Sequence, residues 1–427
     1  MCDTKNNIAW ERIFNDYSIL DKIDSNGYAS ISSADINKYR EARLMTKFDH
    51  RSQLPKLFIE NELSILPTSR GTYNIGTFKT FYDFNKEEDG KVTYMPFPSY
   101  IESINYTDLT SEAMAINCAY VSNLLQDFTD EAHLWPTVCG RMGTPVFDFK
   151  IDSNQGYVTI NVENAQIEID GGYEGDNSLI LIEAKNYIAE DFQVRQLYYP
   201  YRLWKEKVTK NVRPIFLTYS NGIFHLREYE FTDYKNYNSI NLVKYEKYTV
   251  ENIEINIDMI QRILSTVNII DEPRVPFPQA DSFDRVINLC ELLKQKRFIS
   301  KENITQNYDF DYRQTDYYSN AARYLGLLDN VQEEGQIGCV LTTDGERIFN
   351  LPIKERQLAF IKLILSHKAF NETLKLYLEK ADVPSKDDII LIMKQSNLYN
   401  IDSDETYRRR ASTIISWLNW ILELINL

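Results

Sequence analysis

Along residues 165–186, AQIEIDGGYEGDNSLILIEAKN, the rhythm of hydrophobic and polar positions changes. Gln166, Glu168 and Asp170 alternate with Ala165, Ile167 and Ile169, the two-residue period of a strand with one wet face. Gly171 to Ser178, GGYEGDNS, reads as a turn that pairs the flanking strands as a hairpin. The next run, LILIEAK, is apolar on both faces until Glu183, the pattern of a central, buried strand. Leu179, Leu181, Glu183 and Lys185 share one face, while Ile180, Ile182 and Ala184 point to the core. Such a hairpin brings Asp170 and Glu183 together at one end of the sheet, with Lys185 beside them.

The flanking pattern extends this unit. Thr110 to Glu131 reads as a helix ahead of it. Glu190 to Lys207 has a helical stripe of Phe192, Gln196, Tyr199 and Leu203, with Pro200 placed to kink or split it. Between Arg213 and Phe231, Asn221-Gly222 separates two aromatic and β-branched runs, a strong hairpin signal. The order strand, strand, helix, strand, strand makes an α/β (α+β) core with a mixed central sheet.

Other segments differ. Before the core, a helix starts at Ser32 or Ser33, and Arg40, Arg43 and Lys47 give it a basic face. Leu66 to Phe84 reads as turn and strands, with Arg70-Gly71 exposed at a turn. Asp271 to Ala280 holds three prolines and reads as a linker. Beyond it come helices at Ser282 to Arg297, Lys301 to Tyr308 and Thr315 to Asp329, then a hairpin with a final helical turn at Val331 to Phe349. Three helices and a two-stranded wing make a winged helix, whose last helix enters a major groove. Pro352 to Leu427 is a second helical unit resembling such a module; Trp417, Trp420 and Leu424 keep the spacing of core positions on its last helix. The expected divisions are 1–100, 101–270, 281–350 and 351–427.

With 427 residues, 43% of them hydrophobic, the chain can build two to four domains with real cores. No run of eighteen apolar residues predicts a membrane span, and the first residues lack the apolar core of a signal peptide. Cys2, Cys118, Cys139, Cys290 and Cys339 are scattered without metal-ligand spacing, as expected of reduced, mostly buried thiols in a cytoplasmic protein. Histidine is too rare for a zinc site.

The chemistry sits on the greasy strand. Burying charge costs on the order of several kcal/mol unless it is paired or bound to a metal. Asp170, Glu183 and Lys185 form D-x12-E-x-K. Two carboxylates beside a scissile phosphate suit Mg2+, with Lys185 orienting a nucleophile or offsetting charge on phosphorus. The bland alternative is a structural ion pair. Gln193 and Gln196 either reach toward the site or cover an ordinary helix surface.

This constellation, with its element order, resembles the PD-(D/E)XK nuclease superfamily, and within it type II restriction endonucleases that carry extra helical DNA-reading domains. Ile169 stands where the motif has proline, a frequent departure. The resemblance implies Asp170, Ala184 and Glu183 as the Mg2+ ligand set, Lys185 as the catalytic lysine, Glu168 as a further acid, and Glu112 as the acid of a preceding helix. It implies cleavage of double-stranded DNA at a specific sequence, leaving a 5′-phosphate. A homodimer on a palindromic site and a companion DNA methyltransferase follow from that role. Expected DNA contacts are Arg43, Lys47 and Arg70, then Tyr317, Ser319, Asn320 and Arg323 on the winged helix. Arg408, Arg409 and Arg410 join them, because three arginines at a helix start oppose the dipole; pairing with Asp402 or Asp404 is the alternative.

The net charge of −15 runs against DNA binding, which depends on neutralising phosphates. An acidic protein can still bind DNA if its basic residues gather in one cleft, while acid on the outer surface limits nonspecific contact. Two rival functions stay open: a repair or structure-specific nuclease, and a winged-helix regulator without enzymatic activity.

Overall fold

In the strand Ser178–Lys185 every residue is buried. A computed structural model, describing residues 4–84, 91–401 and 403–426, shows why. Among the described residues the largest sheet has seven strands, in the order Val92–Tyr94, Ile240–Thr249, Ile223–Phe231, Asn211–Ser220, Ser178–Lys185, Gln166–Gly175, Leu134–Gly143. Ser178–Lys185 therefore has a neighbour on each side, antiparallel to Gln166–Gly175 and parallel to Asn211–Ser220. The parallel step is crossed by the helix Arg195–Lys205, as a parallel connection requires. Leu179 and Leu181 pack under this helix with Leu197 and Tyr199, while Ile180, Ile182 and Ala184 pack against Ile116 and Ala119 of the helix Glu112–Val121. Both faces of the strand are core, not one. The protein is mixed α/β with a mixed central sheet, as its pattern predicts.

Three local expectations are corrected. Gly171 to Gly175 continue the strand, and the chain reverses only at Asp176–Asn177. The glycines answer to packing, because a Cβ on Gly172 would lie 2.6 Å from the Val138 side chain. The helix expected over 110–131 breaks into Glu112–Val121 and Leu124–Thr129 at Asn123, whose φ of 60° no helix residue adopts. Asp191–Gln193 leaves the expected helix to pair with Phe81–Asp83. Pro200 sits inside Arg195–Lys205 and has no N–H for the Gln196 carbonyl. The Asn221-Gly222 turn forms as expected, with both residues at positive φ.

Ser32 caps the helix Ser33–Asn37, its hydroxyl accepting the Asp35 amide at 3.1 Å. The helical stretch then breaks into Ala42–Thr46 and a short turn at Arg51–Gln53. Arg40 lies outside these helices, so no continuous basic face forms with Arg43 and Lys47.

In the last third, the helices Phe283–Lys296, Lys301–Asn307 and Tyr312–Tyr324 pack with the hairpin Leu328–Glu333 and Gln336–Leu341, and Phe298–Ser300 adds a third strand. The helices Ile353–Leu365, Lys368–Lys380, Lys386–Lys394 and Asp404–Glu423 follow. One hydrophobic core runs through all of them, across the division expected at 350. Trp417, Trp420 and Leu424 are buried in it, as their spacing demands. The proline-rich segment is a strap rather than a free linker: Phe277 and Ala280 are buried, and the Ala280 carbonyl accepts the Trp417 indole N–H at 2.7 Å. No helix among the described residues is long and apolar enough to cross a membrane.

Asp284 accepts the Trp420 indole N–H at 2.9 Å, and burial pushes its carboxyl up to about 6. The folded chain holds that proton more tightly than the unfolded one. The stability this group contributes is therefore present at low pH and lost as pH rises toward about 6. Asp284→Asn keeps an acceptor and removes the charge. It is expected to stabilise the protein by about 1 kcal/mol at pH 7.5, with a much smaller gain at pH 4. Thermal unfolding at both pH values checks this; an equal gain at each would contradict it.

Candidate active site

The hairpin register ends with Ile182 opposite Gly171, so Asp170 and Glu183 face each other one step past the last ladder pair. There the Ala184 amide donates to Asp170 Oδ2 at 2.8 Å in place of a strand carbonyl. Lys185 Nζ donates to Glu183 Oε1 at 2.5 Å, and Gln196 Nε2 donates to the same oxygen at 2.7 Å. Glu183 is 9% exposed and Lys185 7%. This is a tight ion pair in a dry place, the setting in which charge costs most.

Burial pushes the Glu183 carboxyl up to about 8; Lys185 opposes the shift and Asp170 adds to it. Burial also raises Asp170, with Lys185 and the Ala184 amide pulling it down. Glu112, in the first turn of its helix, is raised in the same way, with Lys185 lowering it and Asp170 adding to the rise. Burial works against the Lys185 charge, but Glu183, Tyr187, Asp49 and Glu112 hold its proton well above the ordinary value. Acidic groups thus crowd one end of the sheet, and burial favours their protonated forms.

Asp49 is the member that sequence reasoning missed. It lies far from the hairpin in the chain, yet it is buried and its carboxylate feels Lys185. Burial opposes its charge; Lys185, Lys47, His50 and Arg195 outweigh that and hold it below the usual range. No spacing rule joins residue 49 to residue 185.

Other expected residues are placed as follows. Gln196 reaches Glu183, but Gln193 does not: it is buried, donating to the Ile65 carbonyl at 3.2 Å and accepting from Arg195. Glu168 is exposed and paired with Arg141 at 3.2 Å, on the rim of a shallow cleft with Glu183, Gln196 and Pro200. Arg43 and Arg70 are exposed, and Lys47 is exposed 3.3 Å from Asp49 Oδ2. Tyr317 is exposed, and Arg323 donates to Asn320 at 3.2 Å, both partly buried. Ser319 is fully buried and donates to the Asp316 carbonyl at 3.2 Å. Two residues along a helix from outward-facing Tyr317, it faces inward and is no DNA contact here.

Arg408 is exposed 3.7 Å from Asp387, and Arg409 is exposed. Arg410 is partly buried and donates to Gln279 Oε1 at 2.7 Å, tying down the proline-rich strap instead of standing free. Of its proposed acid partners, Asp404 pairs with Lys394 at 2.7 Å, and Asp402 lies outside the described residues. Cys118, Cys290 and Cys339 are buried free thiols and Cys139 an exposed one; Cys2 lies outside the described residues.

Among the described residues, His50, Asp191 and Asp309 offer three donor atoms within 4.8 Å of one another. Hydrogen bonds already use these groups. His50 Nδ1 meets the Asp191 carbonyl at 2.7 Å and Nε2 the Tyr187 hydroxyl at 2.9 Å. The Asp309 carboxylate accepts from the Ser52 hydroxyl and the Glu190 amide, both at 2.6 Å. The cluster is a lock joining three chain segments. Asp170 and Glu183 present two more carboxylates, whose charge burial makes costly.

Three family models match the chain. Residues 7–75 match a domain of unknown function (DUF6996), 76–249 another (DUF6997), and 285–426 a third (DUF7226). No curated protein and no solved structure matches.

Proposed function

We propose that the protein is an Mg2+-dependent endonuclease that hydrolyses double-stranded DNA at a specific sequence. One observation carries this: Asp170, Glu183 and Lys185 meet at the end of two adjacent central strands, the second of which is followed by a helix and a parallel strand. That arrangement agrees with the PD-(D/E)XK resemblance. Bound at Asp170 and Glu183, with Ala184 in the ligand set, Mg2+ would polarise the phosphate and make a nucleophile available at neutral pH. Lys185 carries its positive charge in a desolvated place, where it best offsets charge developing on phosphorus. Gln196 holds the Glu183 carboxylate from the facing helix.

The C-terminal elements support the gripping role. Helix, strand, helix, helix and a two-stranded hairpin follow the order of a winged helix, with Tyr317 outward on its third helix. Exposed Arg43, Lys47, Arg70, Arg408 and Arg409 supply positive charge for phosphates. A homodimer would cut both strands, and a companion methyltransferase would protect the host's sites.

Plasmid DNA incubated with the protein and Mg2+, against an EDTA control, tests the proposal. Discrete fragments are expected. A smear would favour a structure-directed nuclease, and DNA binding without cleavage would favour the regulator.

The same site makes a stability prediction. Asp170→Asn removes one buried charge and retains an acceptor for the Ala184 amide. It is expected to stabilise the metal-free protein, since burial opposes the Asp170 charge, and to abolish any rise in melting temperature with Mg2+. Thermal melts with and without Mg2+ decide the point; an undiminished Mg2+ response in the variant would remove Asp170 from the ligand set.

A further inference from the structure

Arg195 opens the helix Arg195–Lys205, one residue before Gln196, whose side chain donates to Glu183. A positive charge at a helix start works against the dipole, and the first turn of this helix holds no acidic residue to balance it. Among the described residues Arg195 forms no ion pair with any other element either. The chain thus keeps a partly exposed cation where its own fold gives it no partner charge.

The side chain is held in one pose all the same. Its Nε donates to Gln193 Oε1 at 3.2 Å, and its guanidinium lies 6.0 Å from the centre of the Tyr199 ring. Both supports are themselves fixed. Gln193 is 3% exposed; its backbone amide donates to the Asp49 carbonyl at 2.9 Å, and its side-chain nitrogen to the Ile65 carbonyl at 3.2 Å. Tyr199 is fully buried, and its hydroxyl donates to the Pro67 carbonyl at 3.0 Å. A buried glutamine therefore gives its one side-chain acceptor to an arginine at the surface. With Nε engaged, the two terminal nitrogens have no partner among the described residues and are not buried. That free edge of the fork matches two oxygens of a phosphate.

Neighbouring residues of a helix point to different sides. Gln196 lines the cleft with Glu183 and Pro200, while Arg195 lies over Tyr199, toward the strand Ser64–Pro67. A phosphate held by Arg195 would sit beside the reacting one, not on it.

We propose that Arg195 binds a phosphate of the DNA backbone next to the scissile one, and that Gln193 is the positioning residue that aims it. The DNA role expected of Gln193 is then exercised through the arginine and not by direct contact. This rests on the nuclease reading.

Fluorescence anisotropy of the full chain with a labelled duplex of mixed sequence, in EDTA over a range of NaCl, tests it without cleavage. Arg195→Gln is expected to weaken binding about tenfold and to lower the slope of log affinity against log salt by about one. Arg195→Lys keeps the charge and loses the fork, so the slope is expected to stay while the affinity recovers only in part. Gln193→Met is expected to weaken binding in the wild-type background and to add nothing to Arg195→Gln; an additive loss would make Gln193 merely structural. Melting curves confirm that each variant folds. Unchanged affinity and slope in Arg195→Gln overturn this proposal alone, provided the wild type binds the duplex. A loss of affinity with an unchanged slope also overturns it, because no phosphate contact has then been removed. If the wild type binds no duplex, the nuclease reading fails first and this proposal with it.

Discussion

Lys185→Ala is expected to reduce Mg2+-dependent DNA cleavage roughly a thousandfold, the scale for removing one preorganised group that stabilises transition-state charge. Asp170→Ala is expected to reduce it at least as far. The lysine lies in a desolvated site beside Glu183, where its charge counts most. Removing it also leaves Glu183 without its cation, so the carboxyl there will hold a proton more firmly. Folding is expected to survive, since the alanine sits on a strand paired on both sides. Circular dichroism and melting curves check the fold, and initial rates on plasmid check the activity. A Lys185→Ala protein that keeps more than a tenth of wild-type cleavage would place the chemistry elsewhere.

The second large effect concerns stability. Trp417→Ala is expected to cost about 4 kcal/mol, the scale of emptying a buried aromatic position. Trp417 is fully buried, stacks on Phe370 at 5.1 Å and meets Phe283 edge-on at 4.9 Å. Its indole N–H is the donor to Ala280, so truncation also strands a buried carbonyl. Because that bond anchors the proline-rich strap, protease cutting between residues 271 and 280 should rise along with the loss. Trp417→Phe refills most of the space and loses only the hydrogen bond, so about 1–2 kcal/mol is expected. Denaturant unfolding compares the three proteins. A Trp417→Ala loss under 1 kcal/mol would show that this helix is dispensable to the core.

Much of the central unit is legible in the chain because its signals are local. Two-residue alternation around Asp170, the unbroken apolar run to Glu183 and the Asn221-Gly222 turn each depend on residues a few positions apart. The same locality misled elsewhere. Gly171 and Gly172 look like turn residues but are strand positions pressed against Ile116 of the covering helix and Val138 of the neighbouring strand. Asp191–Gln193 continues a helical stripe in sequence and becomes a strand because Phe81–Asp83 is there to pair with it. The prolines of 271–280 signal a linker, yet Phe277 and Ala280 find a core built from distant helices.

By itself, then, the sequence determined the mixed α/β centre, the strand that carries Glu183 and Lys185, and the core face of the last helix. Periodicity and side-chain chemistry set these, and both act over a few residues. Only the tertiary structure decided that Asp49 is buried, that Gln196 and not Gln193 holds Glu183, and that Ser319 and Arg410 are packed rather than presented. Each of those outcomes depends on which distant segments share a buried space. Desolvation and packing there are set by the whole chain, not by any one stretch of it.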